Sequence, residues 1–205
     1  MLEKTNLGVF MNKIIKIATF LVALTATISF ADVYGFRAGF SLYDYSTGNS
    51  AEDKYVKMGY GFGGGLVVNK QLSGSFSYVQ EANFLYRKPV IIDTSGVSEK
   101  YVTEYALSTP MMFQFTLDEG MPCLAAGVQL DATISSKTTD KRGGKEEKSD
   151  TEDRVSLDLG IVLGVGYLIT PHVGVDLRAV IGLTEPTLNK EDGWNQYGAG
   201  LTYYF

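Results

Sequence analysis

The chain has 205 residues, with 23 Gly, 11 Phe and 13 Tyr but a single Cys, a single His and a single Trp. One Cys excludes a disulfide framework and a cysteine zinc cluster. One His excludes paired-histidine metal sites, and a formal net charge of −5 argues against a nucleic-acid surface. A hydrophobic content of 45% against 20% charged residues describes a folded chain, of a length suited to one domain.

Lys13 and Lys16 precede an apolar run of 14 residues, Ile17 through Phe30, short of the roughly 20 that a spanning helix needs. Lysines, a short apolar stretch and the small residues Ser29 and Ala31 read as a secretory signal cleaved after Ala31. The expected organisation is an N-terminal extension and signal peptide over 1–31, with Met1 or Met11 as the start, and one barrel domain over 32–205. The first segment carries Glu3, Lys4, Lys13 and Lys16, so its loss moves the net charge from −5 to −7. Cys123 does not follow the signal directly, which argues against a lipoprotein anchor; beside Pro122 it reads as a small residue at a turn edge.

Beyond residue 31, aromatic and β-branched residues alternate with Gly and polar ones, the signature of strands. Eight segments follow, near 33–43, 57–69, 74–87, 100–117, 123–137, 154–169, 172–184 and 194–205. In the first, Phe36, Phe40 and Leu42 oppose Arg37, Gly39 and Ser41. In the second, Tyr60, Phe62, Leu66 and Val68 oppose Gly61, Gly63 and Gly65, and in the third Phe76, Tyr78, Phe84 and Tyr86 oppose Ser77, Glu81 and Asn83. The fourth sets Tyr105, Leu107, Met111 and Phe113 against Glu104, Ser108 and Gln114, with Pro110 marking a bulge or kink. The fifth sets Leu124, Ala126, Val128, Leu130 and Ile134 against Gly127, Gln129, Asp131, Thr133 and Ser135. The sixth and seventh alternate Val155 through Tyr167 with Asp158 and glycines, and Val173 through Leu183 with Asp176 and Arg178. The last alternates Tyr197, Ala199, Leu201, Tyr203 and Phe205 with Gln196, Gly198, Gly200 and Thr202.

The polar face is rich in Gly and almost free of Lys, which suits a crowded interior better than a solvated surface. The apolar face carries bulky aromatics near strand ends, as the girdles of a transmembrane barrel do. The links alternate: 44–56, 88–99, 138–153 and 185–193 are long, whereas 70–73, 118–122 and 170–171 are tight. Long extracellular loops and short periplasmic turns follow that pattern and place both termini in the periplasm. The fold class is therefore all-β, an eight-stranded antiparallel up-and-down transmembrane β-barrel. The dense charge run from Lys137 to Arg154 reads as a solvated loop, or as a contact surface for lipopolysaccharide or a partner.

The segment from Tyr105-Ala106-Leu107-Ser108-Thr109-Pro110 into Met111 and Phe113, the Val175-Asp176-Leu177-Arg178 strand with Gly182-Leu183-Thr184, and the ending Asn195 through Phe205 resemble the small outer-membrane β-barrel family that includes PorT and OmpA-like barrels. The resemblance covers about 32–205 and implies location in the outer membrane of a Gram-negative-type bacterium, among lipid and lipopolysaccharide. The terminal row Tyr197, Leu201, Tyr203 and Phe205 looks like the signal read by the barrel assembly machinery. The family implies no single activity, and fold confers none.

The inward charges are Arg37, Glu81, Glu104, Asp131, Asp158, Asp176 and Arg178, with Arg87 near a rim. Charges taken from water need partners, so a structural Arg–carboxylate network is expected around Arg37 and Arg178. Gly61, Gly63, Gly64 and Gly65 leave room for bulky neighbours; no helix follows them, so they form no phosphate cradle. His172 falls in a tight turn at the periplasmic end, away from the rim where a Ser-His-acid site would sit. No catalytic, cofactor or metal residues are assigned. The expected role is non-enzymatic: structural, or surface interaction through the loops with a partner the residues do not name. The alternatives are a narrow small-solute or ion channel and a secreted lipocalin-like binder of an apolar ligand, which needs the apolar face inside.

Overall fold

A computed structural model describes residues 31–46, 56–94, 98–117, 122–142, 145–150, 157–184 and 193–205. The alternating pattern forms β1 (Val33–Ser46), β2 (Val56–Ser73), β3 (Phe76–Thr94), β4 (Ser98–Thr116), β5 (Cys123–Arg142), β6 (Lys145–Asp150), β7 (Leu157–Thr170), β8 (Val173–Gly182) and β9 (Gly193–Tyr204). Consecutive strands pair antiparallel. β1 takes β2 on one side and β9 on the other, and β4 pairs with β5, so the sheet closes on itself. β6 and β7 pair with the upper and lower parts of the same edge of β5 and fill one position in the wall. The result is a closed, eight-stranded, all-β antiparallel barrel, a form that leaves no unpaired edge to lipid.

The two faces separate as period two requires. Phe36, Phe62, Phe84, Phe113, Leu163, Leu177, Leu201 and Phe205 all lie on the outer surface, with Leu177 at 61% and Phe205 at 72% exposure. On β3 the outward row runs from Phe76 to Tyr86; ten residues at roughly 3.3 Å each, tilted by about 40°, span about 25 Å of height, the thickness of the apolar band of such barrels. Ring contacts tie neighbouring strands on that surface, Phe76 to Phe113 at 5.4 Å and Tyr86 to Tyr105 at 5.5 Å between centroids. A lipocalin-like arrangement, with this face inside, is the reverse of what is found.

Several boundaries differ from the sequence reading. The segment 88–99, expected as a long loop, is mostly strand: β3 continues to Thr94 and β4 starts at Ser98. The first part of the expected loop 138–153 is a hairpin of β5 with β6. Charged residues read as loop because they deny the sheet a dry face. Above the membrane both faces are wet, and opposite charges can sit across from each other, as Lys141↔Glu146 and Lys100↔Asp140 do. The first tight turn lies at Gly74-Ser75, with β2 running through the expected turn 70–73 to Ser73. Pro110 makes no bulge; the register with β3 keeps its offset from Gln80↔Met111 to Asn83↔Ser108. The shift in the β4–β5 pair lies at Tyr105/Ala106, where Ile134 is the extra residue. Above it the parity of β5 inverts, so Ser136, not Ser135, joins Glu104 on the inner face. The expected loops 44–56 and 185–193, the turn 118–122 and Val155 fall wholly or mostly outside the described residues.

Candidate functional site

The inner face carries a column of polar clusters and small spaces, built by residues of one parity on each strand. At the end that holds Ala31 and Phe205, Lys70 Nζ donates to Asp32 at 2.6 Å, and the backbone N–H of Gln71 donates to the same carboxylate at 3.0 Å. The Lys70 hydrogen bond holds the exposed Asp32 carboxyl below its ordinary range. At the same end His172 Nδ1 lies 3.0 Å from the carbonyl of Tyr204, while the Tyr204 N–H donates to the His172 carbonyl at 2.7 Å. Histidine therefore fastens the last strand to a turn.

Deeper in, Arg37 donates twice to Asp176, at 3.0 Å through Nε and 2.7 Å through Nη2. Arg178 reaches Asp176 at 2.7 Å and Glu81 at 2.6 Å. Glu81 is 1% exposed and also accepts from Asn83 at 2.9 Å. Glycine makes the space: a Cβ at Gly200 or Gly39 would occupy the volume of the Arg37 guanidinium. Two arginines and two carboxylates from β1, β3 and β8 thus form one compact group, with guanidinium forks matched to carboxylates.

A second cluster lies nearer the other end. Arg87 donates through Nε to Glu104 at 2.9 Å, through Nη1 to Asp131 at 3.0 Å, and through Nη2 to Asp158 at 2.9 Å and Thr133 at 3.2 Å. Its guanidinium lies 5.9 Å from the centroid of the buried Tyr43 ring. The expected network centred on Arg37 and Arg178 is therefore two networks, and Glu104, Asp131 and Asp158 belong to the other one. Arg87 is no rim residue. It was placed there because the segment after it read as loop; β3 runs seven residues further, which leaves Arg87 deep in the wall. Parity already put it on the face of Glu81 and Asn83.

Amides and apolar side chains fill much of what remains. Gln129 donates to Asp131 and to Gln196, each at 3.2 Å, and Gln196 donates to Ser41 at 3.0 Å, a chain across the lumen from β5 to β1. Val67, Val79, Met112, Val162, Val180 and Trp194 form a buried apolar cluster that a reading of the polar face passed over. Trp194 lies over Gly182, in space a Cβ there would need, and donates to the Thr184 carbonyl at 3.2 Å. A cavity of about 50 Å³ lies on the Cys123, Asp176 and Tyr204 side, and one of about 30 Å³ on the Tyr43, Asn83 and Gln196 side. Arg178 lines both, so the first arginine group stands between them. Each has room for only a few waters. Among the described residues no group of three or more His, Cys, Asp or Glu is arranged to hold a metal.

A closed eight-stranded sheet with an apolar outer belt and a charged, filled interior defines an integral outer-membrane barrel. The chain belongs to the outer membrane protein beta-barrel domain family, which it matches over residues 31–186. Its fold is similar to that of Neisserial surface protein A, at a TM-score of 0.53 and 16% identity, covering 84% of this chain and 97% of that one. It is similar also to Ail, the attachment invasion locus protein of Yersinia pestis, at a TM-score of 0.50 and 14% identity, covering 84% and 98%. No curated protein matches it. The protein accordingly resides in the bacterial outer membrane.

Proposed function

We propose that the protein is a non-enzymatic outer-membrane barrel, allied to the small PorT/OmpA-like members, whose lumen is a structural plug and whose role is surface interaction. The observation that supports the plug reading is that two arginine–carboxylate clusters and an amide chain cross the lumen, where two cavities among the described residues measure about 50 and 30 Å³. The surface role is supported by the strands themselves. β3, β4, β5 and β6 continue beyond the apolar belt as one paired sheet, with Ser98↔Arg142 and Lys141↔Glu146 at its far end. That end is opposite the turns at 74–75 and 171–172 and the C-terminal Phe205, hence extracellular in this reading, and β6 leaves one edge of the sheet unpaired among the described residues. An open edge of this kind offers main-chain groups to an extended segment. At the other end, the outward row Tyr197, Leu201, Tyr203 and Phe205 is the segment we assign to recognition by the barrel assembly machinery.

Two measurements test this reading. Pure protein in a planar bilayer gives no stable conductance steps; regular steps overturn the plug and favour a narrow channel. Protease added to intact cells cuts within 88–100 or 137–150 and spares the turns at 74–75 and 171–172; the reverse pattern overturns the orientation.

A further inference from the structure

In the middle of the apolar belt the β3–β4 register keeps its offset, yet its bridges stop at Gln80↔Met111 and resume at Asn83↔Ser108. The two rows between, 81 with 110 and 82 with 109, are unbridged. Proline accounts for both. Pro110 is bridged to Gln129 on its other side, and a residue without an N–H can hold such a place only as a non-hydrogen-bonded pair. Its ladder position therefore faces β3, where an N–H would have donated to the carbonyl of Glu81. That carbonyl loses its ladder donor midway along the outward row from Phe76 to Tyr86, at a depth where lipid offers no substitute. The neighbouring seam has no such gap: β2 pairs with the same stretch of β3 through Leu66↔Ala82 and Val67↔Glu81. The side-chain bonds to the Glu81 carboxylate come from Arg178 on β8 and from Asn83 on β3 itself, so they do not tie β3 to β4.

On the inner face the gap lies where the two lumenal spaces meet the wall. Glu81 lines the cavity of about 50 Å³, Pro110 the cavity of about 30 Å³, and Arg178 lines both. Asn83 Oδ1, beside the second cavity, is buried and accepts no hydrogen bond among the described residues. We propose that β3 and β4 part locally at Glu81–Pro110, a breathing point built into the wall, and that each opening joins the two cavities and admits water to the backbone at mid-membrane. The free energy of a local opening is set by the contacts it breaks, and here one ladder bond is already missing. Intact rows confine it, Leu85↔Ala106 above and Val79↔Met112 below. Water that enters supplies donors to the Glu81 carbonyl and to Asn83 Oδ1. The inference depends on neither the orientation nor the surface role proposed above.

The experiment is amide hydrogen–deuterium exchange, read by NMR on the folded protein in phosphatidylcholine nanodiscs. The N–H groups of Glu81 and Asn83 face β4 on either side of the missing bond. They are expected to exchange about tenfold faster than those of Leu66 and Ala82 on the intact seam, and faster by the same factor than those of Leu85 and Ala106. Pro110→Val and the smaller Pro110→Ala each return an N–H to the ladder, and each is first shown to keep heat-modifiable gel mobility. Either is expected to slow exchange at Glu81 and Asn83 by about tenfold, to the level of the controls. Equal rates at Glu81 and Ala82 in the parent overturn the proposal, as do unchanged rates at Glu81 and Asn83 in the variants. Exchange at Leu85 and Ala106 as fast as at Glu81 also overturns it, because the whole seam then unzips and no local opening is built in.

Discussion

Replacing Arg87 with Met keeps an unbranched apolar stem and removes the guanidinium and its charge from the middle of three carboxylates. Arg87 is 4% exposed, Glu104 and Asp158 each 5%, and Asp131 fully buried. The guanidinium makes four hydrogen bonds, three of them to those carboxylates. Charge-assisted bonds contribute roughly 1.5–3 kcal/mol each, but these three share one donor group and are lost together, so their sum overstates the effect. Breaking a buried ion pair by removing one partner costs about 3–5 kcal/mol, because the remaining charge is stranded; Arg87→Met is expected at the upper end of that range. The assay is reversible urea unfolding from phosphatidylcholine vesicles, followed by emission of the single tryptophan, Trp194, which is 8% exposed. Adding Glu104→Gln, Asp131→Asn and Asp158→Asn to Arg87→Met is expected to restore most of the loss, since no net charge is then buried. A loss below about 1 kcal/mol for Arg87→Met would place the cluster in the exposed regime and refute the dry, plugged interior together with the reasoning that led to it.

Leu177→Arg, at the middle of β8 on the lipid face, is expected to destabilise the barrel by roughly 2–4 kcal/mol in the same urea titration, and Leu177→Phe by little. Gly182→Val drives a side chain into the Trp194 indole; it is expected to cost about 1–3 kcal/mol and to shift tryptophan emission to the red. Asp32 supplies the pH prediction. Its carboxyl titrates below the ordinary value of 3.8, chiefly through the Lys70 hydrogen bond. A lowered folded-state value means that its stabilising effect is complete above the unfolded value and fades as pH falls through the lower folded one, so the window lies below about pH 4. In Lys70→Gln the Asp32 midpoint, read by NMR titration, moves upward toward 3.8; an unchanged midpoint refutes the pairing.

Period two was enough to separate the faces of the described wall strands within the apolar belt. A lipid face tolerates almost no charge, so a single misplaced Asp or Arg would have broken the pattern, and none does. Arg37, Glu81, Asp176 and Arg178 could be assigned to the lumen by parity alone, because parity survives any uncertainty in strand ends. Depth and partnership did not survive it. Ending the third segment at residue 87 turned Arg87 into a rim residue, and reading Lys137–Asp150 as loop hid a hairpin. Parity also failed above Ile134, where one extra residue inverts β5. The alternation there runs through Ser135, Ser136 and Lys137, and polar residues on both sides carry no sign of the inversion.

By itself the sequence determined the class of fold, the two faces and the residues that enter the lumen, since these depend on local alternation and on the exclusion of charge from lipid. Only the tertiary structure decided which carboxylate meets which arginine. Strand tilt and register bring together residues far apart in the chain, as with Arg37 and Asp176 or Arg87 and Asp158, and register is a property of the closed sheet. The same holds on the outside: Lys88, Tyr101 and Lys141 are neighbours only because β3, β4 and β5 pair beyond the edge of the membrane.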